Sequence, residues 1–220
     1  MGSIPRLDEA SAREAVVEIG RRMHERGLIA GAEGNVSVRL SPRRLLITPS
    51  GANKGFLRPG DLVTIDLDGR PEERRRRVSS EVRLHLASYR VREDVGAVIH
   101  AHPPTAVALT LAGISLDPPL VPELLTALGP VPTAPYATPS TEELAEGVVG
   151  KFLEADVVLM ERHGAVCLGP DLVTAYDRLE SLEHNARIAF MAFSLGTPTP
   201  LPAAERARLE RMAAADRSRR

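Results

Sequence analysis

The chain has 220 residues, 43% of them hydrophobic, which is enough for one substantial buried core and gives no argument for a second domain. Its 28 basic and 29 acidic residues nearly cancel, excluding a whole-chain attraction to nucleic acid or to an anionic membrane. Aromatic residues make up 3% with no tryptophan, so no stacking platform for bases is offered.

The single cysteine, Cys167, rules out an intrachain disulfide framework and suits a reducing compartment. The first fourteen residues carry no basic-plus-apolar signal, and no apolar run approaches the ~18 residues of a membrane helix. A cytoplasmic protein is the expectation, as one domain over 1–220 with its core in about 8–195 and a charged tail over 196–220.

Residues 8–26 read as a helix, capped by Asp8 or Ser11 and stopped by Gly27, with Val16, Ile19 and Met23 on one buried face. After the turn "GAEGN", Val36, Val38 and Leu40 alternate as in a half-buried strand. Strands follow over 45–48 and 62–66, the first reached through the turn "SPRR". Such short connections favour antiparallel pairing. The run "EERRRR" at 72–77 reads as a solvated loop, because Glu72 and Glu73 dilute any basic patch. A helix is expected over 80–91 with Ser79 or Ser80 as cap, then a buried strand over 95–101 and a helix opened by Pro103 and Pro104. Residues 116–135 read as proline-rich loop around a short helix at 123–128. A helix over 141–152, strands over 157–160 and 165–168, a long helix over 171–195 and a helix-forming tail complete the chain. The alternation indicates α/β architecture.

"VIHAHPP" places His100 and His102 two apart at a strand end, so both project to one face. Neutral imidazoles are common ligands of divalent ions, yet two donors make no tight site, and packing explains the pair equally well. A third donor is needed, and His163 in "LMERHGA" is the best placed, at the end of an apolar strand before a glycine. His24, His85 and His184 fall within predicted helices and are assigned to helix surfaces or packing. Glu81 in "SSE" could be a fourth donor, or an ordinary acidic residue at a helix start. "EGN" at 33–35, "PSG" at 49–51 and the serine pair at 79–80 each offer small residues, free amides and a polar side chain. Together they could hold a phosphate without much net positive charge.

The order of Gly34-Asn35-Val36-Ser37 with Arg39, "ITPSG", "DLVTIDLDG", "SSE", "AVIHAHPP", "APYAT" and "ERHGAVCLG" resembles the class II aldolase and adducin family, over about residues 10–195. The resemblance implies an α/β fold with a central, largely antiparallel sheet flanked by helices, in a homotetramer with interfacial active sites. It implies a divalent ion, usually Zn2+ with Mn2+ or Co2+ as alternatives, held by His100, His102 and His163. Glu81 would be the acid/base and could touch the metal. Asn35, Ser50, Gly51, Ser79 and Ser80 would hold the phosphate of a small sugar-phosphate substrate. The implied reaction is reversible cleavage of a phosphorylated ketose to dihydroxyacetone phosphate and an aldehyde. Here a Lewis acid would stabilise the developing negative charge, and binding energy at the phosphate would orient the reacting bond.

Some positions depart from the aldolase pattern. Ala32 and Glu33 stand where a hydroxyl contact to phosphate is expected, and Lys54 is added beside a phosphate loop, to assist an anion or simply to be exposed. Glu123 replaces a tyrosine and resembles the acid/base residue of a dehydratase branch. This leaves a dehydratase, an epimerase or a sugar-acid decarboxylase as alternatives. A non-catalytic adducin-like binding module is the alternative of another class, and retention of all four candidate ligands argues against it.

Overall fold

The computed structural model describes residues 8–73 and 77–217. Helix α1, Glu9–Glu25, is capped by Asp8, whose carboxylate accepts from the Ser11 N–H, and Val16, Ile19 and Met23 are buried as the periodicity requires. Strands β1, Asn35–Ser41, β2, Arg44–Ile47, and β3, Val63–Asp66, form an antiparallel meander. Helix α2 runs Val82–Val91, β4 Ala97–Ala101, α3 Pro104–Leu111 and α4 Pro122–Ala127. They are followed by β5, Thr133–Ala134, α5, Glu142–Val149, β6, Val157–Met160, β7, Gly164–Gly169, α6, Leu172–Leu195, and α7, Ala203–Arg217.

All seven strands join one sheet in the order β3-β2-β1-β4-β7-β6-β5, antiparallel except for the β5–β6 pair. Alternation along each strand divides the core in two. Val36, Ile99, Leu159 and Cys167 face a layer that includes α1, α3, α4 and α6. Val98, Val158, Val166 and Leu168 face Leu84 and Tyr89 of α2 and Leu144 and Val148 of α5. The expected single α/β domain with a largely antiparallel sheet between helices is the observed fold.

Several boundaries differ from expectation. Helix α2 begins two residues later than the serine pair suggests, with Glu81 at its N-cap position and no side-chain cap. Ser79 instead accepts from the Glu81 N–H at 3.3 Å, which turns the chain before the helix and directs the Glu81 carboxylate away from its backbone. The expected helix over 141–152 breaks near Gly150 into a 3-10 turn, Gly150–Leu153. The two-residue β5 carries no periodic signal and is created by pairing with β6. The charged tail is not separate from the fold, since α7 packs on α4 and Arg206 pairs with Asp117 at 2.9 Å. In the 72–77 run, residues 74–76 lie outside the described residues, and Glu72 pairs with Arg44 at 2.6 Å.

Candidate metal centre

Sheet register builds the centre. Asn35 lies directly opposite His100 in the β1–β4 pairing, and Ala101 lies opposite Ala165 in β4–β7. The start of β1, the end of β4 and the start of β7 therefore meet at one edge of the sheet. His100 points to the α2 face, His102 follows just beyond β4, and His163 immediately precedes β7. Gly164 permits that approach. A Cβ there would overlap the Ala101 carbonyl oxygen and would stand 2.8 Å from the His102 ring and 3.1 Å from the His100 ring.

Among the described residues, Glu81, His100, His102 and His163 offer ligand atoms all within 4.8 Å of one another. The rings lie mutually edge-on, with centroids 4.8 to 5.1 Å apart. The Nδ1 of His100 faces the Ala165 carbonyl at 3.0 Å, an acceptor only, so the ring proton sits on Nδ1 and Nε2 is a bare lone pair. The Nδ1 of His102 faces Glu33 at 3.3 Å, which by the same reasoning leaves Nε2 bare. These two Nε2 atoms stand 3.0 Å apart, with Glu81 Oε2 3.0 Å from the first. Glu81 Oε1 is buried without a hydrogen-bond partner among the described residues, 3.2 Å from His163 Nε2. Lone pairs and a carboxylate gathered this closely repel unless a cation lies between them, so the donor set fits a divalent ion.

The protonation states suit that purpose. Burial, reinforced by neighbouring His100 and His163, pushes the His102 imidazole down to about 3, which keeps it neutral and able to ligate. Burial would raise the Glu81 carboxyl, but its polar neighbours, His100 and His163 first and the Asn35 amide that donates to it after them, outweigh burial and hold the group well below the usual carboxylate range.

Fixed contacts link the three expected phosphate loops. An isolated bridge joins Pro49 to Val78, and the Ser50 N–H donates to Arg77 O at 3.0 Å, tying "PSG" to the serine pair. Thr48 caps the Val36 N–H at 3.2 Å, and Asn35 donates to Glu81 at 2.9 Å, bringing in the third loop. Ser50, Gly51 and Ser80 are exposed, whereas Ser79 is buried. Lys54 is not a surface residue. It is 2% exposed, and its ammonium donates to Ala32 O at 2.5 Å and Ala52 O at 2.8 Å, clasping two of the loops from beneath. It forms no ion pair among the described residues, and burial pulls it down to about 8.

Glu123 stands exposed on the first turn of α4, outside the ligand cluster. Of the histidines set aside, His184 is exposed and His24 packs against Phe56. His85 is different. It is fully buried beneath the centre and bonded to both Ser37 and Asn35. Sequence spacing carried that signal, since His85 lies one helical turn after Glu81 and Ser37 two strand residues after Asn35.

The sheet order and the three-histidine-plus-carboxylate cluster define an α/β domain whose grouped donors could hold a metal ion, with small-residue loops beside them. The profile of the Class II Aldolase and Adducin N-terminal domain matches residues 14–190, and the chain belongs to that family. A 5-deoxy-D-ribulose 1-phosphate aldolase of Bacillus thuringiensis is 35% identical over 192 residues, covering 86% of this chain and 89% of the relative. A 3-oxo-tetronate 4-phosphate decarboxylase of Haemophilus influenzae is 32% identical over 195 residues, covering 84% and 89%. The solved structure of an L-fuculose 1-phosphate aldolase matches with a TM-score of 0.85 at 30% identity, over 98% of this chain and all of that one (100%).

Proposed function

We propose that the protein is a divalent-metal-dependent aldolase that reversibly cleaves a phosphorylated ketose, such as L-fuculose 1-phosphate or 5-deoxyribulose 1-phosphate, to dihydroxyacetone phosphate and an aldehyde. The observation that carries this reading is the convergence of three imidazole nitrogens with the ionised Glu81 carboxylate. His100, His102, His163 and Glu81 would hold the ion. Three nitrogens and a carboxylate suit Zn2+, with Mn2+ or Co2+ as alternatives. When bound, such an ion is a Lewis acid for the substrate carbonyl and for the negative charge that develops beside it.

The chain's own groups do the rest. Asn35, Ser50, Gly51, Ser79 and Ser80 are the proposed cradle for the phosphate, with the Lys54 charge beneath it. In the direction of synthesis, the Glu81 carboxylate takes a proton from the carbon beside the carbonyl of dihydroxyacetone phosphate, the electron pair released attacks the aldehyde carbon, and the proton ends on the aldehyde oxygen as it becomes a hydroxyl. In cleavage Glu81 returns that proton to the same carbon. Binding at the phosphate fixes the carbon chain and so contributes at the reacting bond. A cytoplasmic homotetramer with interfacial sites completes the reading. It is supported by the exposed apolar side chains Phe190, Met191 and Leu195 near the end of α6, and no helix among the described residues is long and apolar enough to cross a membrane.

The Haemophilus influenzae relative supports a second reading, decarboxylation of a 3-oxo sugar-acid phosphate, which places the same kind of charge beside a carbonyl. The test is release of dihydroxyacetone phosphate from a panel of ketose 1-phosphates, run beside carbon dioxide release from 3-oxo acid phosphates. Chelator treatment, and separately Glu81→Gln, are expected to lower the productive reaction by about 10²-fold or more. Undiminished turnover in both would refute the roles given to the metal and to Glu81, and no turnover of either substrate panel would refute the aldolase and the decarboxylase alike.

A further inference from the structure

Behind the candidate metal centre lies a continuous string of buried polar groups, of which Tyr89, Ser37 and His85 are used by no step above. Tyr89 Oη is 2.9 Å from Ser37 Oγ, which is 2.6 Å from His85 Nδ1. On the other side of the ring, His85 Nε2 is 2.5 Å from Asn35 Oδ1, and Asn35 Nδ2 is 2.9 Å from Glu81 Oε2. All five residues are buried, so water does not compete for these bonds.

Only one arrangement of protons satisfies the string. Ionised Glu81 can only accept, so the face of Asn35 turned to it must be the amide nitrogen. The Asn35 carbonyl oxygen then faces His85 Nε2 and requires a proton there. Burial drives the His85 imidazole down to about 3, so the ring is neutral and Nδ1 is bare. That nitrogen accepts from the Ser37 hydroxyl, whose oxygen accepts in turn from the Tyr89 hydroxyl. Every donor in the string points toward the Glu81 carboxylate.

We propose that His85, as its Nε2–H tautomer, is a positioning residue that locks the side-chain amide of Asn35 with its nitrogen toward Glu81 and the substrate anion. A bare Nε2 would favour the opposite amide orientation and set an oxygen lone pair against the carboxylate. The inference rests on the proposed roles of Asn35 and Glu81, but its tautomer arm stands without them. His85 touches neither substrate nor metal; it acts through Asn35.

Two variants separate positioning from bulk packing. His85→Leu keeps an apolar volume and removes both bonds, whereas His85→Gln retains an N–H donor for Asn35. With the metal-loaded enzyme, His85→Leu is expected to lower kcat/KM by about 10–100-fold, the range typical of lost outer-shell partners. Metal content should be unchanged, and His85→Gln should recover most of the loss. Long-range 1H–15N correlation of histidine-labelled protein should show, for the signal lost in His85→Gln, a protonated Nε2 and a bare Nδ1 from pH 5 to 8. An Nδ1–H tautomer, titration of that ring near neutral pH, or unchanged kcat/KM in His85→Leu would each overturn the proposal. If His85→Leu does not fold, the tautomer and His85→Gln measurements still decide. If no sugar phosphate is turned over by the parent enzyme, the aldolase reading fails while the tautomer result remains interpretable.

Discussion

Gly164→Ala tests whether the metal centre depends on the close approach of β7 to β4. The added methyl would overlap the Ala101 carbonyl oxygen and lie 2.8 Å from His102 Cδ2 and 3.1 Å from His100 Cε1. Carbon atoms rest about 3.5–4.0 Å apart at contact, so both rings must retreat by roughly 0.5–1 Å, or β7 must pull away from its partner. Overpacking of this kind costs about 1–3 kcal/mol, which for a domain of this size is roughly 2–12 °C in Tm of the metal-free protein. Because two candidate ligands move together, metal affinity should fall by about 10–100-fold, like the loss of an outer-shell support. Competition against a chromophoric chelator reads the affinity, and thermal unfolding of the metal-free protein reads the strain. Affinity within threefold of the parent, together with an unshifted Tm, would refute the idea that Gly164 makes room for the centre.

The buried Lys54 predicts a pH dependence. Its ammonium titrates at about 8 in the fold against an ordinary 10.5, because burial disfavours the charge. Between those values the unfolded chain binds the extra proton, so this group destabilises the fold fully below pH 8, and the cost is relieved as pH rises toward 10.5. The difference between parent and Lys54→Met stability curves should change by up to about 3 kcal/mol across that window, and a flat difference would refute the assignment. Glu183, buried on α6, accepts from Thr105 and Ala106 at the start of α3, where Pro103 supplies no side-chain cap. Glu183→Ala should therefore cost about 1.5–3 kcal/mol in urea unfolding, and a loss under about 0.5 kcal/mol would remove Glu183 from that role. Glu123→Gln should leave aldol cleavage within about twofold, consistent with its exposed position; a loss comparable to that of Glu81→Gln would instead place Glu123 among the groups that serve the cleavage.

Much of this architecture was legible in the residues because it rests on short-range rules. Asp8 and Asp171 before amphipathic runs marked two helix starts, and alternation through Val36, Val38 and Leu40 marked the first strand. The four candidate ligands were readable as chemical types, and the fold brings them within reach of one another. What escaped depends on long-range contact. Thr133–Ala134 becomes a strand only because β6 passes beside it. Lys54 looks like a surface lysine until α1 and two loops close over it, Gly20 of α1 packing against its backbone. His85 was set aside as helix packing because its importance lies in facing Asn35 and Ser37 across the sheet, about fifty residues away in the chain. The serine pair was read both as a helix cap and as part of an anion site because both roles use the same residue types, and the placement of Glu81 at the N-cap position removes the first.

The pairing of Asn35 with His100, and of Ala101 with Ala165, also bears on how freely this chain can change. A one-residue slip in either ladder would swing the ligand-bearing positions to the opposite face, so the centre is as tightly specified as the sheet core itself. The connecting segments carry no such constraint. Residues 67–73 and 112–121 lie outside both ladders, though Pro71 bridges to Ile65 and Leu116 is buried in the core. The candidate ligand cluster is therefore a frame fixed by the sheet rather than by the segments that connect its strands. Change elsewhere in the chain can thus proceed around the same four candidate ligands while their placement stays the same.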